Sequence, residues 1–402
     1  MKKLWIATEL FFPEETSTAY ILTKIANKLS DHYEVTVFCG EPNYQISDIS
    51  NIEFFLDSKV NVHRLSSEKG NQADLKSRGL RSIKLSLKIF FKLVKHAKKY
   101  DKVFIVTNPV SLIVLVAFAK IIKGFELKIL VHDVFPENTI PAGIIKSKNS
   151  YFYKTLKLIF DWAYGCADQL IVLGRDMKEI IQEKVSRFKT NAQIEIIENW
   201  GDIVKIYPKT KEDFLEKNSP FLNRIVFQYA GNIGRVQGLP EILSIIRKSE
   251  NDAVLYYFVG EGAIKSQLID YVENNNMQNV RFGGPYQRTE QNSVLNTSDV
   301  AIITLSEGML GLGVPSKVYN ILAAGKPIFY IGDKRSEIAL LIKENNIGYA
   351  FEPTQQQEIS DFLKNFGEEK TNDLLIKSEN ARHLAIQYFS ENTILNKFLN
   401  HI

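Results

Sequence analysis

Strand-like and helix-like segments alternate along most of the 402-residue chain, and this alternation constrains the fold more than any other feature. Strand-length apolar runs are separated by segments in which apolar residues recur at helical spacing. In the first half these runs are 3–8, 33–40, 102–109, 126–133 and 169–174. After a charged, turn-rich connection at 195–220, the same alternation starts again at 224–235. Because parallel sheets covered by helices have this pattern, the sequence predicts an α/β fold of two doubly wound, Rossmann-like halves.

The charged connection marks the predicted domain boundary. We expect one domain over 1–205 and a second over 206–384, facing each other across a cleft, with a C-terminal helix at 385–402 packing back on the first. A hydrophobic content of 45% and a charged content of 24% are typical of a soluble globular protein.

Cysteine usage and the apolar runs indicate a cytoplasmic protein. Cys39 and Cys166 are too few and too far apart for a disulfide framework or a cysteine zinc site. The first apolar run is too short for a signal peptide, and the stretch 109–124 is too short to span a bilayer.

The segment "YAGNIGRVQGLPEIL" at 229–243 carries a turn between a strand and a helix. Glycines in such a turn let the backbone approach a ligand closely, and the N-terminus of the following helix attracts anions. An arginine beside the turn can form two parallel hydrogen bonds to phosphate oxygens. An ordinary turn at a strand–helix junction has the same local pattern. The candidate phosphate-binding residues here are Gly231, Asn232, Gly234, Arg235 and Gln237.

Two later segments repeat this arrangement. "FVGEGAIKSQL" contributes Gly260, Glu261 and Lys265, although a lysine in a first helical turn is commonly just solvated. "SEGMLGLGVPSKVYN" places Gly311 and Gly313 before a helix predicted to begin near Pro315, with Ser316 and Lys317 in its first turn; Gly308 precedes them. Since ligands of open α/β sheets bind beyond the carboxyl ends of the strands, the three loops together predict a phosphate-bearing ligand.

The first half offers two polar loops. His132 and Asp133 directly follow a buried strand, where they can position a hydroxyl or accept its proton. Asp133 as a helix cap and His132 as a satisfied core residue are the structural alternatives. The loop "FFPEETSTAY" carries Glu14, Thr16, Ser17 and Thr18. Glu14 and its neighbour Glu15 are alternatively ordinary first-turn acids.

A basic amphipathic helix is predicted at 78–99. One face carries Arg81, Lys84, Lys88, Lys92, Lys95 and Lys99. The other carries Leu80, Ile83, Leu87, Phe90, Phe91 and Val94, widened by Leu85, Ile89 and Leu93. Such a helix rests on an anionic membrane surface, or it is a core helix with a solvated lysine face. Nucleic acid is not an expected partner, because no aromatic residues interleave the basic stripe.

With these segments assembled, the sequence resembles the retaining glycosyltransferases of family four, which have the GT-B fold. The resemblance rests on 11–44, on "HDVFPE" at 132–137, on "YAGNIGRVQGL" and "FVGEG", and on "VPSKVYNILAAGKPI". The "HDVFPE" segment is similar to that of the subgroup making O-antigen and capsule sugars, near fucosamine and N-acetylhexosamine transferases. No one motif decides this resemblance, which depends on their order and spacing.

The resemblance implies roles for individual residues. Arg235 matches the family's diphosphate-binding arginine, and Gln237 stands where a lysine is usual. Asn320 falls where the second glutamate of the family's Glu-x7-Glu motif grips the ribose, and Leu312 stands at or near the first. His132 and Asp133 would orient the acceptor or the sugar, and Glu14, Thr16, Ser17 and Thr18 would contact the acceptor.

The expected function is transfer of a sugar, of N-acetylhexosamine type, from a UDP-sugar to a polyprenyl-diphosphate-linked or saccharide acceptor. The resemblance implies that the configuration at the anomeric carbon is retained. No metal or other cofactor is expected, which agrees with the lack of an Asp-x-Asp motif in the chain. The protein would lie in the cytoplasm, with 78–99 on the inner membrane face. A UDP-sugar-modifying enzyme of the 2-epimerase type and a non-catalytic nucleotide-binding partner are the alternatives.

Overall fold

The computed structural model describes residues 1–42, 54–66, 75–188 and 190–402. The end of the segment 11–44 lies outside these residues. Two compact units make up the chain. Unit 1 comprises Met1–Glu198, Gly311–Val314 and Leu395–Ile402, and unit 2 comprises Asn199–Leu310 and Pro315–Ile394. The first division thus follows Glu198, seven residues before the position expected from the sequence.

Unit 1 is built on a seven-stranded parallel sheet with the order β3-β2-β1-β4-β5-β6-β7. Its strands are β1 (Lys2–Ala7), β2 (Tyr33–Gly40), β3 (Asn61–Leu65), β4 (Lys102–Val106), β5 (Glu126–Leu130), β6 (Gln169–Val172) and β7 (Gln193–Ile196). The central strands are almost wholly buried, as the continuous apolar runs predicted. The sequence missed β3 and β7, because these edge strands are short and partly exposed and carry polar residues.

The helices that begin in unit 1 are α1 (Ser17–Leu29), α2 (Leu75–His96), α3 (Val110–Lys123), α4 (Tyr151–Gly165) and α5 (Arg175–Ser186). Helices α2, α3, α4 and α5 pack side by side in that order. No helix of the described residues combines the length and the apolar character needed to cross a bilayer.

Helix α2 packs on the core through a narrower stripe than its sequence suggested. Leu85, Ile89 and Leu93 are buried, and these are the residues expected only to widen the apolar face. The rest of that face is largely exposed, with 57% of Leu80 and 65% of Phe91 accessible. The neighbouring helices leave further large apolar side chains exposed. The exposed set is Leu80, Ile83, Leu87, Phe91, Phe118, Ile121, Ile122, Tyr151, Phe152, Leu158 and Ile159.

Unit 2 is built on a six-stranded parallel sheet with the order β10-β9-β8-β11-β12-β13. Its strands are β8 (Ile225–Ala230), β9 (Val254–Val259), β10 (Val280–Gly283), β11 (Val300–Thr304), β12 (Ile328–Ile331) and β13 (Gly348–Phe351). Its helices are α6 (Leu239–Ser249), α7 (Lys265–Asn274), α8 (Gln291–Asn296), α9 (Lys317–Ala323), α10 (Glu337–Asn345), α11 (Gln356–Lys364) and α12 (Thr371–Tyr388). Aromatic rings from β8, β12 and the chain after α11 form its core, with Phe227 edge-on to both Phe329 and Phe366.

The C-terminal segment is not the single helix expected over 385–402. Helix α12 ends at Tyr388, and a separate helix, α13 (Glu391–His401), follows. The break is held by Ser390, whose hydroxyl accepts a hydrogen bond from the Thr393 amide at 3.4 Å. The last eight residues, Leu395–Ile402, belong to unit 1.

A buried ion network holds the loop after β5 against α4 and α5. Lys184 donates hydrogen bonds of 2.8 and 2.7 Å to the two carboxylate oxygens of Glu137, and its ammonium lies 2.6 Å from Asp161 Oδ1. Lys157 donates a further 2.6 Å bond to Glu137. Although burial opposes it, these ammonium groups hold the pKa of Glu137 below its ordinary value. The glutamate of the "HDVFPE" segment therefore anchors this loop.

Replacing Lys184 by methionine should destabilise unit 1 strongly. The change keeps the volume of the side chain but removes a wholly buried cation from two buried carboxylates. Breaking a buried pair on one side costs about 3–5 kcal/mol, which a lower midpoint of urea unfolding would report. Lys59→Met is the matched control, since Lys59 forms an exposed pair with Asp31 and should change little. Equal midpoints for the two variants would contradict the role given to the network.

Candidate functional site

The turn after β8 brings together five of the residues selected from the sequence. Its shape is maintained by hydrogen bonds from Gly231 N to Val259 O at 2.9 Å and from the Tyr229 hydroxyl to Asn232 O at 2.6 Å. A Cβ at Gly234 would lie 2.8 Å from Gln237 Oε1 and 2.9 Å from Asn232 Nδ2, so these side chains close over the glycine. Arg235 is exposed at the same turn.

The turn after β9 interlocks with the turn after β8 through backbone alone. A Cβ at Gly260 would lie 2.0 Å from Gly231 O, and a Cβ at Gly262 would lie 2.2 Å from Ile233 O. Ile233 N donates a 2.8 Å hydrogen bond to Glu261 O across this contact. Glycine is needed here for the approach of one turn to the other, and Gly260 also has a φ of 137°.

Lys265 already has protein partners. Its ammonium donates hydrogen bonds of 2.6 Å to Glu261 Oε1 and 2.9 Å to Gly283 O. Lys265 and Glu261, both candidate residues of the predicted phosphate site, therefore neutralise each other at the start of α7.

Lys317 has a different environment. It is the first residue of α9, which begins two residues after the predicted start at Pro315, with Ser316 as its N-cap. Its ammonium nitrogen is buried 3.5 Å from the centroid of the Tyr229 ring, and a Cβ at Gly231 would lie 3.7 Å from it. Within the described part of the chain this nitrogen has no hydrogen-bond partner. Burial lowers the pKa of Lys317 to about 7.

Asn320 lies on the same helix and joins two other segments of unit 2. Its side-chain oxygen accepts a hydrogen bond from Asp202 N at 3.0 Å, and its nitrogen donates to Gln291 Oε1 at 3.3 Å. The carboxamide therefore has one N–H and one lone pair left for a ligand.

His132 and Asp133 follow β5 in unit 1. Both of their backbone amides donate to Thr107 Oγ1, at 3.1 and 3.2 Å, so this threonine at the end of β4 sets the loop. The imidazole Nε2 of His132 is buried with no hydrogen-bond partner among the described residues. Burial lowers the pKa of His132 to about 4, so the ring is neutral at pH 7. Asp133 is exposed, and desolvation by the surrounding protein raises the pKa of its carboxyl.

Gly311 and Gly313 lie with these unit 1 residues. Gly311 N donates to Asp176 Oδ2 at 3.2 Å, and Val134 N donates to Leu312 O at 3.1 Å. A Cβ at Gly313 would lie 3.2 Å from His132 O and 3.5 Å from Asp133 Oδ1. The loop predicted to bind phosphate thus divides, because Gly311–Val314 belongs to unit 1 and Lys317 belongs to unit 2.

The acceptor loop proposed from the sequence surrounds the start of α1. Thr16 caps the helix by accepting a hydrogen bond from Ala19 N at 3.3 Å, and Ser17 and Thr18 form its first turn. Glu14 is buried before the cap. Arg64, which was not among the residues selected from the sequence, donates a 2.5 Å hydrogen bond to Phe12 O and so holds this loop from β3. No sequence signal marked Arg64, because β3 itself was not predicted.

The family model for glycosyl transferases group 1 matches residues 210–384. The probable glycosyltransferase WbjE of Pseudomonas aeruginosa is 33% identical over 409 residues, covering 99% of this chain and 97% of the relative. The chain belongs to the glycosyl transferases group 1 family. It is a glycosyltransferase, as the resemblance implied.

Two further matches concern more distant relatives of this glycosyltransferase. The putative colanic acid biosynthesis glycosyl transferase WcaI of Escherichia coli is 23% identical over 51% of this chain and 50% of the relative. The crystal structure of Anabaena HepE in complex with UDP has a TM-score of 0.71 at 16% identity, covering 100% of this chain and 99% of HepE. The structural match confirms the predicted GT-B fold of two Rossmann-like domains.

Replacing Gly260 by alanine should separate the two interlocked turns of this glycosyltransferase. The new Cβ would collide with Gly231 O and stand on a backbone that L-residues rarely adopt. Overpacking and backbone strain together should cost about 3 kcal/mol, seen as a lower midpoint of urea unfolding. Gly284→Ala is the control, because a Cβ there meets nothing within 4 Å. If both variants unfold at the wild-type midpoint, the glycines are not needed for the interlock.

Proposed function

We propose that this glycosyltransferase moves a sugar from a UDP-sugar to a lipid-linked saccharide acceptor in bacterial surface-polysaccharide biosynthesis, with retention of configuration and without a metal. The observation that carries the donor assignment is the buried ammonium of Lys317 beside Gly231, which lacks a hydrogen-bond acceptor in the described chain. The UDP complex of HepE and the colanic acid assignment of WcaI support the donor class and the pathway.

The donor would bind at the carboxyl ends of the unit 2 strands. Arg235 is exposed at the turn after β8 and pairs with no carboxylate of the described residues, so its guanidinium is available for a bidentate contact with the diphosphate. Asn232, Gly234 and Gln237 line the same turn, and Gln237 Oε1 is buried without a hydrogen-bond partner in the described chain. Asn320 would use its remaining N–H and lone pair toward the ribose.

The reaction follows from the charges. The anomeric C–O bond breaks, the sugar takes on oxocarbenium character, and the bonding electron pair leaves with the nucleoside diphosphate. Arg235 and Lys317 would stabilise the negative charge that develops there, and a donor of this kind contributes about 3 kcal/mol in a site that excludes water. The acceptor hydroxyl would attack from the face of the departing phosphate, which accepts its proton, so that configuration is retained.

In unit 1 the proposed role of the site residues is to orient the sugar or the acceptor. A histidine whose pKa lies near 4 is a weak base at pH 7, and His132 would therefore hold a sugar hydroxyl through its neutral ring. The carboxyl of Asp133 would accept a second hydroxyl hydrogen bond. Glu14, Thr16, Ser17 and Thr18 remain the proposed acceptor contacts, and the resemblance to N-acetylhexosamine transferases favours that class of sugar.

Replacing Arg235 by alanine should lower kcat by about 10²–10³-fold, as removal of one charge-stabilising donor does. Transfer is measured from UDP-N-acetylhexosamines to a polyprenyl-diphosphate-linked saccharide, with and without EDTA, and we expect no effect of EDTA. Arg247→Ala is the control, since Arg247 is exposed on α6. Epimerised nucleotide formed without acceptor would favour a UDP-sugar-modifying enzyme, and UDP binding without any turnover would favour a non-catalytic partner.

We also propose that unit 1 rests on the inner membrane surface, where lipid-linked acceptors lie. The supporting feature is the exposed apolar set on α2, α3 and α4, which extends the predicted helix 78–99 over three adjacent helices. Four exposed lysines accompany it on α2, namely Lys84, Lys88, Lys92 and Lys95. Apolar side chains beside lysines suit the boundary between acyl chains and anionic headgroups.

Replacing Leu87 and Phe91 together by glutamate should reduce binding to phosphatidylglycerol-containing vesicles by about tenfold or more, because two charges would enter the apolar contact. Co-sedimentation measures the bound fraction, and added salt should weaken wild-type binding. The matched control is Leu375→Glu with Ile376→Glu, which alters two exposed apolar residues of α12 in unit 2. Equal binding by the wild type and both double variants would refute this surface.

A further inference from the structure

Within the described residues, no carboxylate pairs with Lys317, and burial is the one cause of its lowered pKa. Its nitrogen lies over the ring of Tyr229, whose hydroxyl donates to Asn232 O and whose pKa is raised by burial. The charged residues of the adjoining turns are Arg235 after β8 and the Glu261–Lys265 pair after β9, in which the two side chains neutralise each other. The loop before α9 also carries Glu307, which is exposed.

The Tyr229 ring only partly replaces water around the ammonium. A cation over an aromatic face gains about 0.5–2 kcal/mol, whereas an unpaired buried ammonium loses several kcal/mol of hydration. The backbone that carries this side chain is fixed, because α9 begins at Lys317 and its neighbour Val318 is wholly buried. An anion at Gly231 would supply the missing acceptor.

We propose that, in mildly alkaline solution, Lys317 is mostly neutral when the donor site is empty and takes up a proton from solvent when the diphosphate binds, so that donor binding is proton-coupled. This inference rests on the proposed function and identifies Lys317, rather than Lys265, as the lysine that holds the leaving group. The bound ammonium is then a charged hydrogen-bond donor to the phosphate oxygen that gains charge as the glycosidic bond breaks. When UDP leaves, Lys317 returns the proton to solvent.

The sign of the pH dependence follows from the two states of Lys317. The empty site holds the pKa near 7, and a bound diphosphate raises it by supplying an opposite charge. Below pH 7 the lysine is already charged, and no proton is taken up. Between about pH 8 and pH 9, the affinity for UDP should fall about tenfold per pH unit, because one proton must be bound with the ligand.

Calorimetric titration of the full chain with UDP at pH 8, in two buffers of different ionisation enthalpy, measures the uptake directly. We expect about 0.9 proton per UDP, given a pKa near 7 and a phosphate that is itself ionised above about pH 6. Lys317→Met should bind UDP more weakly and without uptake. The control, Lys248→Met on an exposed position of α6, should retain the wild-type uptake.

The outcomes separate this inference from the proposed function. UDP binding by the wild type with no proton uptake at pH 8 would overturn the role of Lys317 and leave the glycosyltransferase assignment standing. No binding of UDP by the wild type would overturn both. Because Lys317→Met can fail to fold, NMR of wild-type protein labelled at lysine Cε provides a second measurement. The lysine that titrates near pH 7 should shift upward when UDP is added, whereas Lys326, whose pKa burial lowers to about 8, should not shift.

Discussion

The contact between the turns after β8 and β9 is the constraint on which the donor side of this protein depends. Two backbones meet at Gly231–Gly260 and at Ile233–Gly262 at distances that leave no space for a Cβ. Parallel strands bring these turns to one edge of the sheet, and glycine allows them to close on each other. Lys317 lies against this contact, because a Cβ at Gly231 would stand 3.7 Å from its ammonium nitrogen.

On loops that follow strands in both units, some buried side-chain atoms have no hydrogen-bond partner among the described residues. These include Lys317 Nζ and Gln237 Oε1 in unit 2 and His132 Nε2 in unit 1. Buried polar groups are nearly always hydrogen-bonded, because an unmet donor or acceptor costs about 1–3 kcal/mol. These atoms lie on loops that are expected to bind substrate. Their lack of partners is consistent with hydrogen bonds that form when a ligand binds.

Much of the fold was predictable because it follows from local patterns. The central strands were recognised as buried apolar runs, and two Rossmann-like halves followed from their alternation with helices, whereas the GT-B assignment came from the family resemblance. The edge strands β3 and β7 were missed because a partly exposed strand lacks such a run. The site was predictable only as a set of loops, since residue type does not reveal which partner a side chain meets. Lys265 and Lys317 looked equivalent as lysines at helix starts, yet only Lys265 has Glu261 beside it.

The sequence by itself determined the two parallel sheets, the loops that follow their strands and the glycines that these loops require, because these features depend on residues near one another in the chain. Tertiary structure alone decided that Gly311–Val314 joins His132 and Asp133, and that α2 leaves Leu87 and Phe91 exposed. It also decided that Lys317 lies over Tyr229. Burial and pairing of a charge depend on neighbours that are distant in sequence, and those neighbours set the pKa on which the proposed chemistry rests.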